Sequence, residues 1–72
     1  MLISVVVPCM NEEASIPVLV DRLAQVIAPY GPRAEILLVD DGSTDGTWAE
    51  IERAQATCSC LRGLKLSANR GH

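Results

Sequence analysis

Four consecutive aliphatics, Ile36-Leu37-Leu38-Val39, run straight into Asp40-Asp41-Gly42-Ser43-Thr44-Asp45-Gly46-Thr47. An unbroken apolar run bounded by turn residues suits a strand buried on both faces of a sheet. Acids at the exit of such a strand are expensive to bury unless something engages them. In an open α/β sheet, ligands bind beyond the carboxyl ends of the strands, which is where this exit falls. The stretch therefore reads as a central parallel strand with two carboxylates, Asp40 and Asp41, at its functional end.

The rest of the chain has to supply neighbours for that strand within 72 residues, which allows one small domain at most. Chains of this size bury only about 60% of their unfolded surface, so stability is marginal. An apolar share of 49%, nearly all aliphatic with Tyr30 and Trp48 the only aromatics, is globular rather than disordered. A net charge of −3 and scattered Lys and Arg argue against a nucleic-acid surface. No apolar run reaches the ~18 residues that span a bilayer. No basic segment precedes the first apolar stretch, as a signal peptide would require. Three cysteines cannot all pair with one another, which fits a reducing, cytoplasmic setting.

Read in order, Leu2 to Val7 is rich in β-branched residues and stops at Pro8, giving a first buried strand. Asn11 could cap the helix that follows, but Pro17 would then stand at the sixth helical position, at a cost of about 3 kcal/mol. With Ser15 as the cap, Pro17 falls in the first turn, where it is tolerated. That start leaves Asn11, Glu12 and Glu13 in a loop, free to face a ligand. Ile16, Leu19, Val20, Leu23, Val26 and Ile27 then recur at helical spacing. The helix ends near Ala28, ahead of the breakers Pro29-Tyr30-Gly31-Pro32. Strand two covers about 35–40. Thr44 or Asp45 caps a second helix, roughly 46–57, which buries Trp48, Ile51 and Ala54. Leu61, Leu64 and Leu66 mark a third strand, less purely apolar and nearer an edge. The order β-α-β-α-β implies parallel strands joined by crossovers of the right hand, as in about 98% of such units. Three polar loops, Pro8 to Glu13, Asp40 to Asp45 and Ser67 to His72, then gather at one sheet edge.

Successive strand residues point to opposite faces, so Asp40 and Asp41 cannot do the same work. One can accept hydrogen bonds from a nucleobase or ribose, and the other can fold back on the Ser43 and Thr44 amides. Both could equally serve only to shape the turn. Asp41 to Glu52 also matches the spacing of an EF-hand calcium loop, but that motif needs an entering helix where this chain has a strand. Pro8 to Glu13 contains no glycine, so the Gly-x-Gly-x-x-Gly phosphate cradle is missing. Cys58-x-Cys60 lacks a second ligand pair for zinc, and small, partly buried thiols are the better reading. Arg70 has the geometry to clamp a diphosphate, and an ordinary solvated arginine fits equally well. His72, the only histidine, has no visible partner.

Three segments together, Val5-Val6-Val7-Pro8-Cys9-Met10-Asn11-Glu12-Glu13, Leu38 to Thr47 and Leu66 to His72, resemble the start of a family 2 glycosyltransferase. The similarity is to the branch of dolichol-phosphate mannosyltransferases and bacterial polyprenyl-phosphate glycosyltransferases, and it runs across essentially the whole chain. It implies an α/β, Rossmann-like GT-A fold of which 1–72 would be the N-terminal nucleotide-binding βαβαβ part. It further implies transfer of a sugar, with inversion, from a nucleotide-diphosphate donor to an acceptor such as a polyprenyl or dolichyl phosphate, at the cytoplasmic face of a membrane. By the same resemblance Pro8, Asn11 and Glu12 line the nucleoside pocket, Asp40 contacts base or ribose, Gly42 keeps the turn tight, and Arg70 lies near the diphosphate. Asp41, Ser43, Thr44 and Asp45 are left as turn and cap residues. Relatives often carry an aromatic where Met10 stands. The family's Asp-x-Asp motif for a divalent cation (Mg2+ or Mn2+), its catalytic base and its acceptor-binding half lie beyond the 72 residues. The expectation is that these residues alone transfer no sugar and bind nucleotide or self-associate through an unpaired sheet edge.

Overall fold

The computed structural model describes residues 2–66. Three parallel strands, β1 (Ile3–Cys9), β2 (Ala34–Asp41) and β3 (Leu61–Leu66), lie in the order β1-β2-β3. Helix α1 (Ile16–Ile27) joins the first pair and α2 (Thr47–Thr57) the second. The α/β, three-stranded parallel arrangement expected from the strand–helix alternation is the one observed, and β2 is its central strand.

Alternation decides the core. Ile3, Val5, Val7 and Cys9 of β1 are in register with Ala34, Ile36, Leu38 and Asp40 of β2, and Ile36 with Leu61 of β3. Ala34, Ile36, Leu38 and Asp40 are buried, while the residues between them are only partly covered. On this one face Ile16, Leu19, Val20, Leu23 and Ile27 of α1 meet Trp48, Ile51 and Ala54 of α2. Burying a Leu or Ile side chain of this kind contributes about 1.5–3 kcal/mol. Gly63 lets α2 come close to β3, since a Cβ there would stand 2.6 Å from Cγ2 of Ile51.

Burial on both faces, expected for β1 and β2, is not what the described residues provide. On the other face Val6 of β1 is 56% exposed, Leu37 and Val39 of β2 are only partly covered, and Leu64 of β3 is 48% exposed. The cause is topological. Each crossover moves one strand further in the same direction, so two connections of one hand put both helices on the same side.

Helix α1 begins after Ser15 with Pro17 in its first turn, as its sequence implies, although Ser15 makes no side-chain cap bond. Past Ile27 the breakers form a 3-10 segment, Ala28–Arg33, and Gly31 turns the chain at φ 59°. Strand β2 is one residue longer at each end than expected. The start of α2 differs. Its cap position is Gly46, not Thr44 or Asp45, and no side-chain cap bond is made there. Asp45 instead accepts the Thr47 amide two residues on, at 2.9 Å, in an Asx-type turn. Thr44 is drawn toward Asn11 on the first loop.

Candidate functional site

The loops that leave β1 and β2 meet at the carboxyl edge of the sheet and are laced together by side-chain bonds to backbone. The Asn11 amide donates to Oγ of Ser43 at 2.8 Å, and Oδ1 of Asn11 accepts the Thr44 amide at 2.9 Å. The Glu12 amide donates to Oγ1 of Thr47 at 2.7 Å. Oε1 of Glu13 accepts the Gly46 amide at 3.0 Å, and the Glu13 amide reaches Oδ2 of Asp45 at 3.4 Å. Asn11 takes a left-handed φ of 51° to present both groups, a conformation asparagine tolerates better than most residues.

Thr47 closes this clasp. It is fully buried, and its hydroxyl donates to Oδ1 of Asp45 while accepting from Glu12. The Thr47 hydroxyl bond is the main reason the Asp45 carboxyl titrates below the usual aspartate value. Sequence reasoning passed over Thr47 and the Glu13–Gly46 contact. The only available signal was a hydroxyl at the first helical position two residues after an aspartate.

Asp40 and Asp41 divide as alternation requires, Asp40 toward the helix-covered face and Asp41 away from it. The Ser43 amide, expected on Asp41, donates instead to Oδ1 of Asp40 at 3.0 Å, and the Thr44 amide goes to Asn11. Gly42 permits the tight return with φ 80°, a left-handed value that suits glycine. Oδ2 of Asp40 is buried and has no hydrogen-bond partner among the described residues. An unmet carboxylate oxygen at a strand exit costs stability unless a donor arrives. Beside it lies the Cys9 thiol, pushed above its ordinary value by burial and then by the charges of Glu12 and Asp40.

The structure thus brings together Asn11, Glu12, Ser43, Thr44 and Asp45, with Asp40 tied in through the Ser43 amide. The amides of Asn11, Glu12 and Glu13 are engaged by the second loop rather than left free for a ligand. Pro8 pairs with Val39 on the open face and not with Asp40. Arg70 lies outside the described residues. An open cleft of about 400 Å³ is bordered by Asn11, Glu12, Glu13, Ser15 and Asp45. Its lining is acidic, which suits the N–H and O–H donors of a base or ribose and repels a bare diphosphate. Among the described residues no three His, Cys, Asp or Glu side chains cluster closely enough to hold a metal ion.

Residues 4–72 match the family model described as Glycosyl transferase family 2. The chain belongs to that family. This family 2 chain is 42% identical over 71 residues to an undecaprenyl-phosphate 4-deoxy-4-formamido-L-arabinose transferase of Aeromonas hydrophila, covering 97% of the chain and 22% of that relative. It is 53% identical over 45 residues to a dodecaprenyl-phosphate galacturonate synthase of Rhizobium johnstonii, covering 62% of the chain and 13% of the relative. An uncharacterised glycosyltransferase of Bacillus subtilis, YkoT, is 36% identical over 77 residues, covering 99% and 23%. The family 2 chain therefore spans less than a quarter of the length of these relatives. Among its described residues no helix is long and apolar enough to cross a membrane.

Proposed function

We propose that this chain is the nucleoside-binding part of a glycosyltransferase that passes a sugar from a nucleotide-diphosphate donor to a polyprenyl phosphate. The observation that carries the reading is Oδ2 of Asp40, buried and without a partner among the described residues at the exit of the central strand. A base N–H or ribose O–H would meet that oxygen, with Asn11 and Glu12 bordering the pocket and Pro8 on the opposite face of the sheet. Ser43, Thr44 and Asp45 hold the two loops in register, and Oδ1 of Asp40 holds the turn through the Ser43 amide, with Asp41 on the opposite face. The names of the Aeromonas and Rhizobium relatives, both polyprenyl-phosphate enzymes, support the acceptor class. In this proposal the transfer takes place at the cytoplasmic face of a membrane.

The diphosphate end needs positive charge that these two acidic loops lack. Arg70 is our candidate for part of it. A divalent cation, Mg2+ or Mn2+, would offset the leaving diphosphate's charge as a Lewis acid in the complete enzyme. The described residues do not form a site that fits one.

Isothermal titration with UDP and GDP, with and without manganese, tests the binding. Saturable heat is expected, and Asp40→Asn should weaken binding roughly tenfold or more, since bonds to charged groups are worth about 1.5–3 kcal/mol. No heat at millimolar nucleotide overturns the nucleotide reading; unchanged affinity in the variant removes Asp40 from it. The 72 residues alone should transfer no labelled sugar to undecaprenyl phosphate above a metal-free blank.

A second reading, a self-associating piece without turnover, is favoured by the open sheet face that exposes Val6 and Leu64. Its partner would be a second copy of this chain. A monomer in sedimentation velocity removes it.

A further inference from the structure

Cys58 and Cys60 stand at the other end of the sheet, where α2 stops and β3 begins. Cys58 is the C-terminal cap residue of α2, in extended conformation, with its amide bonded to the Ala54 carbonyl. Main-chain bonds close the turn, and Oε1 of Gln55 accepts the Gly63 amide beside it at 2.8 Å. The Leu61 amide donates to the Cys58 carbonyl at 3.1 Å, and the Ile36 amide to the Cys60 carbonyl at 2.8 Å. These bonds leave the two side chains pointing at each other, with 2.9 Å between the Sγ atoms. Two unbonded sulfurs seldom come so near, and only about 0.9 Å more would bring them to the ~2.05 Å of a disulfide.

Neither thiol is committed elsewhere, and both are partly exposed. Cys60 borders an open cleft of about 450 Å³ shared with Ser59, Arg62, Glu35 and Pro32, so a small reagent has access from solvent. Cys9 is different. It is 1% exposed, at the opposite edge of the sheet, with its thiol against the Val7 carbonyl.

We propose that Cys58 and Cys60 form a reversible dithiol–disulfide pair, oxidised by a low-molecular-weight disulfide of the glutathione class and reopened by the corresponding thiol. The contact with Cys58, then burial, raises the titration of Cys60 above its ordinary value. The Cys58 thiolate attacks one sulfur of the reagent's disulfide; the Cys58–S–S–R bond forms as R–S–S–R breaks, and one R–S⁻ leaves. Cys60 then gives up its proton and attacks the Cys58 sulfur, expelling the second R–S⁻. The protein is oxidised by two electrons and loses two hydrogens, and the reagent is reduced to two thiols. The closed bond staples the end of α2 to the first bonds of the β2–β3 ladder.

The test is to equilibrate the protein in glutathione buffers from fully reduced to fully oxidised, alkylate free thiols after denaturation, and map them by mass. The oxidised protein should be lighter by two hydrogens, with Cys58 and Cys60 blocked and Cys9 alkylated. The native pair should oxidise at a glutathione ratio roughly tenfold more reducing than the same pair in urea, a shift of about 30 mV. Cys58→Ser and Cys60→Ser should each retain one glutathione in oxidised buffer, released only by added thiol, and Cys9→Ser should leave the disulfide intact. The proposal is overturned if both thiols stay alkylatable in oxidised buffer, or if the bond joins two chains. It is equally overturned if Cys9 is needed, or if the pair closes no more readily in the native protein than in urea.

Discussion

The two edges of the sheet are held together by different means. At the carboxyl edge, side chains reach across more than thirty residues to satisfy the other loop's amides: Asn11 to Thr44, Glu13 to Gly46, Thr47 to Glu12. At the amino edge the turn into β3 is closed by main-chain bonds, Leu61 to Cys58 and Ile36 to Cys60, and the side-chain bonds, Ser4 to Glu35 and Gly63 to Gln55, are fewer. Main-chain bonds survive almost any side-chain exchange. Side-chain bonds depend on residue identity and, for carboxylates, on pH. The edge proposed to meet the donor is therefore the one whose shape is written in particular residues, while the other edge leaves its side chains available for chemistry of their own.

The largest break in this contrast should come from Thr47→Val. The change preserves shape but strips the Glu12 amide and Asp45 of a buried partner, at an expected cost of about 2 kcal/mol in urea unfolding. Exchange of the Glu12 amide should quicken while that of Ile36 stays slow; equal acceleration at both edges would contradict the contrast. Gly42→Ala comes next, because a Cβ at φ 80° costs about 1–2 kcal/mol. Its thermal midpoint should fall without loss of helix signal from α1, and an unchanged midpoint would mean that the turn relaxes freely.

Acid should act on the carboxyl-edge clasp. The Asp45 carboxyl is held below the usual 3.8, first by the Thr47 hydroxyl. A depressed folded value means that its contribution is fully present above the unfolded value and is lost as pH falls through the folded one. Protection of the Glu13 and Thr47 amides should thus persist down to about that usual value and fade beneath it. Fading that begins well above it would refute the assignment. The smallest effect belongs to Ser59→Ala at the amino edge, an exposed position whose stability should change by less than about 0.5 kcal/mol. A larger change there would show that side chains matter at both edges.

The sequence alone determined the order of elements, the parallel sheet and the position of the polar loops. Strand and helix follow from periodicity, and periodicity is local: Ile36 to Val39 cannot hide in a helix as short as its flanks allow, and Pro17 admits one helix start. The family motifs were legible for the same reason, being contiguous. Three things needed the tertiary structure. One is which acid makes the turn bond. Alternation says that Asp40 and Asp41 differ, but only the helices over one face decide that Asp40 is the buried one. Another is the clasp, in which Asn11, Glu12 and Glu13 spend on the second loop the amides that looked free in isolation. The last is the approach of Cys58 to Cys60, set by where α2 must stop for its chain to enter the β2 ladder. Bonds between loops more than thirty residues apart leave no spacing to read, because folding and not adjacency makes them neighbours.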